Sequence, residues 1–142
     1  EHPQVIKQQI SQIPAGDRLQ TIRVRKGQPE FRKALLKKIP YCPVTTVTDD
    51  RLLEACHIKP RSKCSQVEQS DSNNGIMLTP TIHQLFDDGF ITFEGKRIKV
   101  SPYISKINLQ KLGIVDGQLF DLLPLDGREK YFEFHKSNIF KS

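Results

Sequence analysis

Two brief apolar runs, LLEACHI (52–58) and GIML (75–78), flank a polar stretch, and a short helical pattern, TPTIHQLFDDG, follows at once. The first run predicts a strand from about Leu52 to Ile58, closed by Pro60. Residues 61–73, RSKCSQVEQSDSN, carry no long apolar run and predict a functional loop of the Ω type. GIML predicts a buried strand. Thr79 is an N-cap candidate for the helix, Pro80 suits its first turn and Gly89 ends it. Strand, loop, strand, helix is a compact way to bring a strand residue and a helix residue to one point. His57 and His83 are the residues so placed, with Asn74 at the start of the second strand.

Around this block the chain reads as α+β. Val5, Ile6, Ile10 and Ile13 recur at helical spacing, stopped by PAG. A basic linker or short strand with Arg23, Arg25 and Lys26 follows. PEFRKALLKKI predicts a second helix: Pro29 and Glu30 suit its first turn, Phe31, Ala34, Leu35 and Ile39 form its stripe, and Pro40 stops it. FITF and RIKVS around EGK predict a hairpin over 90–101. YISKINLQKLGI predicts a helix ending at Gly113, and the tail around Asp126–Gly127 reads as strand-like or helical fragments. The expected division is an N-terminal helix and basic linker (1–27), a core (28–102) and a C-terminal extension packed on it (103–142).

The chain has 142 residues and a formal net charge of +6, which favours an anionic partner, nucleic acid being the commonest. Cys42, Cys56 and Cys64 show no paired spacing, which argues against a disulfide framework and for a reducing, cytoplasmic setting. No run approaches membrane length. The opening EHPQVIKQQ lacks Met and reads as a domain cut from a longer protein with further N-terminal parts.

The ordered pattern LLEACHIKP…NNGIMLTPTIHQLFDDGFITF resembles the HNH endonucleases, whose ββα-metal motif is named for His, Asn and His. More narrowly, QPEFRKALL, CPVT and HQLFDDG are similar to a subgroup common in bacterial restriction enzymes. The resemblance spans roughly residues 28–102. It implies a ββα-metal core with N-terminal helices and an added hairpin, acting as a metal-dependent DNA endonuclease. It implies that His57 is the general base that activates water, that Asn74 stiffens the motif and helps orient that base, and that His83 binds a single divalent metal. Imidazole has the intrinsic pKa for such a base, and a cation on the scissile phosphate neutralises charge.

The chain departs from the pattern at Cys56, where many of these enzymes carry an aspartate ligand. A thiol is a poor ligand for Mg²⁺, so Asp87, one helical turn after His83, is expected as the second ligand, with Asp88 and Glu54 as weaker candidates. Mg²⁺ is the expected ion; Cys56 opens the site to Zn²⁺, Mn²⁺ or Ni²⁺. On a regular strand Glu54 and His57 should face opposite ways. Lys59, Arg61 and Lys63, with Arg25 and Lys26, are the expected phosphate contacts. A double-strand cut would need either two active sites, as in a homodimer, or sequential nicks. Two rival readings are a non-catalytic DNA-binding module on a degenerate scaffold, and an interaction domain held by zinc on Cys42, Cys56, Cys64 and His57 or His83. His2 and His135 read as ordinary.

Overall fold

The computed structural model describes residues 28–142. The N-terminal helix, Arg23, Arg25 and Lys26 lie outside the described residues. Helix α1, Gln28–Lys38, has Glu30 in its first turn and Lys37 and Lys38 in its last, matching the dipole. Phe31, Leu35 and Ile39 are buried, while Ala34 is only half-buried. From Phe31 onward the chain forms one compact unit.

Strand β1 is shorter than expected, Glu54–His57. The reason is local. Asp49 caps a 3-10 turn over Asp50–Leu52 by accepting from the Arg51 amide at 3.0 Å, so the chain enters the strand only after Leu53. Arg32 of α1 donates to the Leu53 carbonyl at 2.5 Å and the Asp50 carbonyl at 2.6 Å, fixing the entry. β1 pairs antiparallel with β2, Gly75–Leu78, in the register Glu54↔Leu78 and His57↔Gly75. All four residues of β2 are buried, as a strand covered on both faces must be.

The polar connection is not the irregular loop that its composition predicts. It folds as a 3-10 turn at Arg61–Lys63, helix α2 at Gln66–Ser70 and a second 3-10 turn at Ser72–Asn74. No residue of α2 is buried; a capping box supports it, with Ser65 Oγ accepting from the Glu68 amide and Glu68 reaching back to the Ser65 amide. Asn74–Gly75 is likewise no glycine turn. Gly75 is extended, and a Cβ there would sit 2.6 Å from Phe31 and 2.7 Å from Leu35. The glycine lets α1 lie against the start of β2.

Helix α3, Pro80–Asp87, follows β2 directly and completes a ββα unit. Thr79 holds the N-cap position, but its side chain makes no cap hydrogen bond. Gly89, at φ +76, ends the helix; a Cβ there would strike the Ile139 carbonyl at 2.2 Å. Strands β3 (Ile91–Glu94) and β4 (Arg97–Val100) form the expected hairpin, turning through Gly95 and Lys96. Helix α4 occupies only Lys106–Lys111, because Ser105 supplies its N-cap by accepting from the Asn108 amide. The tail, which the sequence reads only as strand-like or helical fragments, contains helix α5, Glu129–Asn138, which packs on β3. At its head, buried Arg128 donates to the Gly75 carbonyl at 3.1 Å, and Tyr131 donates to Asp71 at 2.6 Å.

Candidate functional site

The alternation of β1 distributes the site. Glu54 and Cys56 face α3; His57 faces α1, so Glu54 and His57 do point opposite ways. On α3, His83 and Asp87 are one turn apart and present side by side. His83 Nδ1–H donates to Glu54 Oε1 at 2.8 Å, and Nε2 lies 3.0 Å from Asp87 Oδ2. The fully buried Cys56 thiol points at Asp87 Oδ1, 3.7 Å away. Burial works against a charged His83 ring, but hydrogen bonds with Asp87 and Cys56 outweigh it and hold the ring well above the usual histidine range. Burial pushes the Cys56 thiol up to about 11. This pocket therefore favours positive charge. Glu54 and Asp87 are half exposed and His83 is 22% exposed, so the group opens towards solvent on one side.

His57 has a different setting. Its ring stacks on Phe31, centroids 3.9 Å apart and planes within 2°. Nε2 lies 2.8 Å from the Gln69 carbonyl. A carbonyl only accepts, so Nε2 carries the proton and Nδ1 keeps the lone pair. Burial lowers the pKa of His57, with the Arg61 and His83 charges adding to it and the Gln69 carbonyl and Asp87 opposing it. The ring is thus neutral near pH 7, and close enough to the α3 pair to feel both charges.

Asn74, fully buried, does not touch the His57 ring. Its Oδ1 accepts from the Lys59 amide at 2.8 Å, and its Nδ2 donates to the Lys59 and Glu68 carbonyls at 3.3 and 3.2 Å. It staples both ends of the connection that delivers the Gln69 carbonyl. Lys59, one of the expected phosphate contacts, pairs through its ammonium with Glu68 at 3.0 Å and lies over the Phe134 ring. Lys63 is exposed, Arg61 is half-buried, and Arg25 and Lys26 lie outside the described residues. Asp88 is exposed and does not join the α3 group.

The three cysteines are free and scattered, which corrects the zinc set drawn from all of them. Cys42 Sγ approaches the Thr79 hydroxyl and Cys64 donates to the Lys59 carbonyl; only Cys56 joins the α3 group. Sequence reasoning missed Phe31 and Gln69 as supports of His57. It preferred Asp87 as the second ligand and gave Cys56 only the role of opening the site to softer metals; β1 alternation and the reach of α3 bring both to His83.

The ligand atoms of Cys56, His83 and Asp87 all lie within 4.8 Å of one another. Metal–ligand bonds of about 2.0–2.3 Å place two ligands of one ion roughly 3–4 Å apart. The observed 3.0 and 3.7 Å separations fall in that interval. Glu54 on Nδ1 aims Nε2 into the group, the usual outer support of a metal-binding imidazole. The donor set fits a divalent cation.

A two-stranded antiparallel sheet is backed by α3, with Cys56, His83 and Asp87 grouped on the α3 face of β1 and the His57 ring on its α1 face. Residues 42–94 match the HNH endonuclease family, from Cys42 through β1, β2 and α3 to the end of β3. No curated protein matches the chain. The match implies nuclease activity on nucleic acid and a divalent metal. No helix among the described residues is long and apolar enough to cross a membrane.

Proposed function

We propose that the chain is a DNA endonuclease domain, the catalytic part of a bacterial restriction system. The observation that carries this reading is the pairing of neighbours on β1: His57, with its Nδ1 lone pair kept open by the Gln69 carbonyl, beside Cys56, which faces His83 and Asp87. In this reading Nδ1 takes a proton from water, and Nε2–H stays on Gln69 while the ring gains charge. Phe31 fixes the plane of that ring, and Asn74 holds the connection that carries Gln69. His83 and Asp87 would hold a divalent cation, which would supply positive charge near the phosphate and the departing oxygen. Arg61 and Lys63, just past β1, lie where a backbone would pass, so affinity falls steeply as salt rises. The QPEFRKALL, CPVT and HQLFDDG segments support the restriction subgroup.

The test is nicking of supercoiled plasmid with Mg²⁺, Mn²⁺, Ni²⁺ or Zn²⁺. His57→Ala should lose cleavage while retaining DNA binding. Binding without nicking under every metal would leave a DNA-binding module instead. Stoichiometric zinc with unfolding on chelation and no nicking would leave a zinc-held interaction domain.

A further inference from the structure

We infer that Cys56 is itself a metal ligand, and that the centre it completes with His83 and Asp87 takes a sulfur-accepting cation of the Zn²⁺ or Co²⁺ class in preference to Mg²⁺. The inference rests on reading this group as a metal centre. It deepens that reading by fixing the class of ion.

The argument starts from register. Position 56 is two residues from Glu54, so the strand commits both to the face covered by α3. Glu54 accepts a hydrogen bond from His83 Nδ1–H, which leaves Nε2 turned toward Asp87. From its apolar setting the Cys56 sulfur reaches two oxygens, the His57 carbonyl at 3.4 Å and the Asp87 carboxylate at 3.7 Å. Cys56 is wholly buried and belongs to the hydrophobic core cluster, so its sulfur cannot swing away into solvent. Any cation bound between His83 Nε2 and Asp87 sits within reach of that sulfur. Mg²⁺ demands oxygen donors and keeps its waters, and a thiol offers it nothing. Zn²⁺ and Co²⁺ accept sulfur, nitrogen and oxygen together. On coordination the Cys56 thiol proton and the His83 Nε2 proton would both leave to solvent, so that a thiolate and a neutral imidazole face the ion. Cys42 and Cys64 stand outside the group, so the sulfur contribution comes from one residue.

Cobalt makes the claim visible. Co²⁺ added to metal-free protein should raise a near-ultraviolet sulfur-to-cobalt charge-transfer band that saturates at one equivalent. Zn²⁺ should abolish the band and excess Mg²⁺ should leave it. Cys56→Ser and Cys56→Ala should both remove it and weaken Co²⁺ binding by at least about tenfold; Cys42→Ser and Cys64→Ser should keep it. Circular dichroism confirms folding of each variant, and the wild-type spectrum carries the test even if one fails to fold. Tight Co²⁺ binding without the band, a band that survives loss of Cys56, or displacement of Co²⁺ by an equal amount of Mg²⁺ each overturns the inference. Plasmid nicking separates this from the functional reading. Cleavage without a thiolate band sinks the inference alone, and a thiolate band without cleavage sinks the nuclease reading alone.

Discussion

The described residues form two small two-stranded antiparallel sheets, each covered by a helix that carries a histidine, and these two histidines have opposite surroundings. Under β1 and β2, α3 presents His83 to Glu54, Asp87 and a thiol. Over β3, α5 presents His135 to the Thr92 hydroxyl at 2.8 Å and the Phe86 carbonyl at 2.7 Å, stacked on the Phe86 ring at 3.6 Å. The first ring is biased towards charge. The second is buried and neutral, its pKa pushed down to about 4 chiefly by burial. The lesson is that a strand–helix frame assigns no chemistry by itself. What decides is whether the facing strand offers carboxylates or a hydroxyl and an aromatic face.

On the proposed reading His83 is a working residue and His135 a structural one, and that contrast can be broken. His83→Ala should cut cleavage about 10²–10⁴-fold, the range for losing a main catalytic group, with little change in the denaturant midpoint; plasmid nicking and urea melts read the two. Equal losses of fold and activity in both regions would erase the distinction.

Acid sharpens it next. The unfolded chain binds a proton at His135 near the ordinary value of 6.5, and the folded chain only near 4. Stability from this residue is therefore present above pH 6.5 and lost as pH falls towards 4. The shift of about 2.5 units corresponds to about 3 kcal/mol. Urea midpoints measured from pH 7 to 4 should show this decline, and His135→Gln should flatten it.

Two smaller effects probe the first region. Gly75→Ala should cost about 2 kcal/mol, because its methyl meets Phe31 and Leu35; thermal melts measure the loss, and cleavage should fall with it as the Phe31 ring is displaced from His57. Glu54→Gln should leave the fold intact and weaken metal binding by roughly tenfold, as loss of an orienting partner does, read by titration calorimetry.

The sequence was legible where punctuation and period agree. α1 has its stripe and its proline stop, α3 has Pro80 and Gly89, and the β3–β4 turn has Gly95. The side-by-side placement of His83 and Asp87 followed from a one-turn helical spacing, whereas His57 turns to the other face of β1, onto Phe31, instead of meeting the His83 ring. Helix α2 escaped because it buries nothing and so has no period; the Ser65–Glu68 capping signature was its only mark. The inward turn of Lys59 escaped with it, since its partner Glu68 sits on that helix. Helix α5 escaped because Tyr131, Phe132, Phe134 and His135 crowd together without a clean stripe. Phe31 and Gln69 could not be read as site residues. One acts through a contact made only in the folded chain, and the other through a main-chain oxygen that any residue would supply.

The buried guanidinium of Arg128 has a practical consequence for anyone who wishes to transplant the motif. It grips Gly75, the strand partner of His57, from well beyond Glu94, just as Phe31 reaches His57 from ahead of Cys42. A graft cut at residues 42 and 94 would carry the ligands yet leave the base without its ring-mate and β2 without its anchor. The portable cassette has to include α1 and α5.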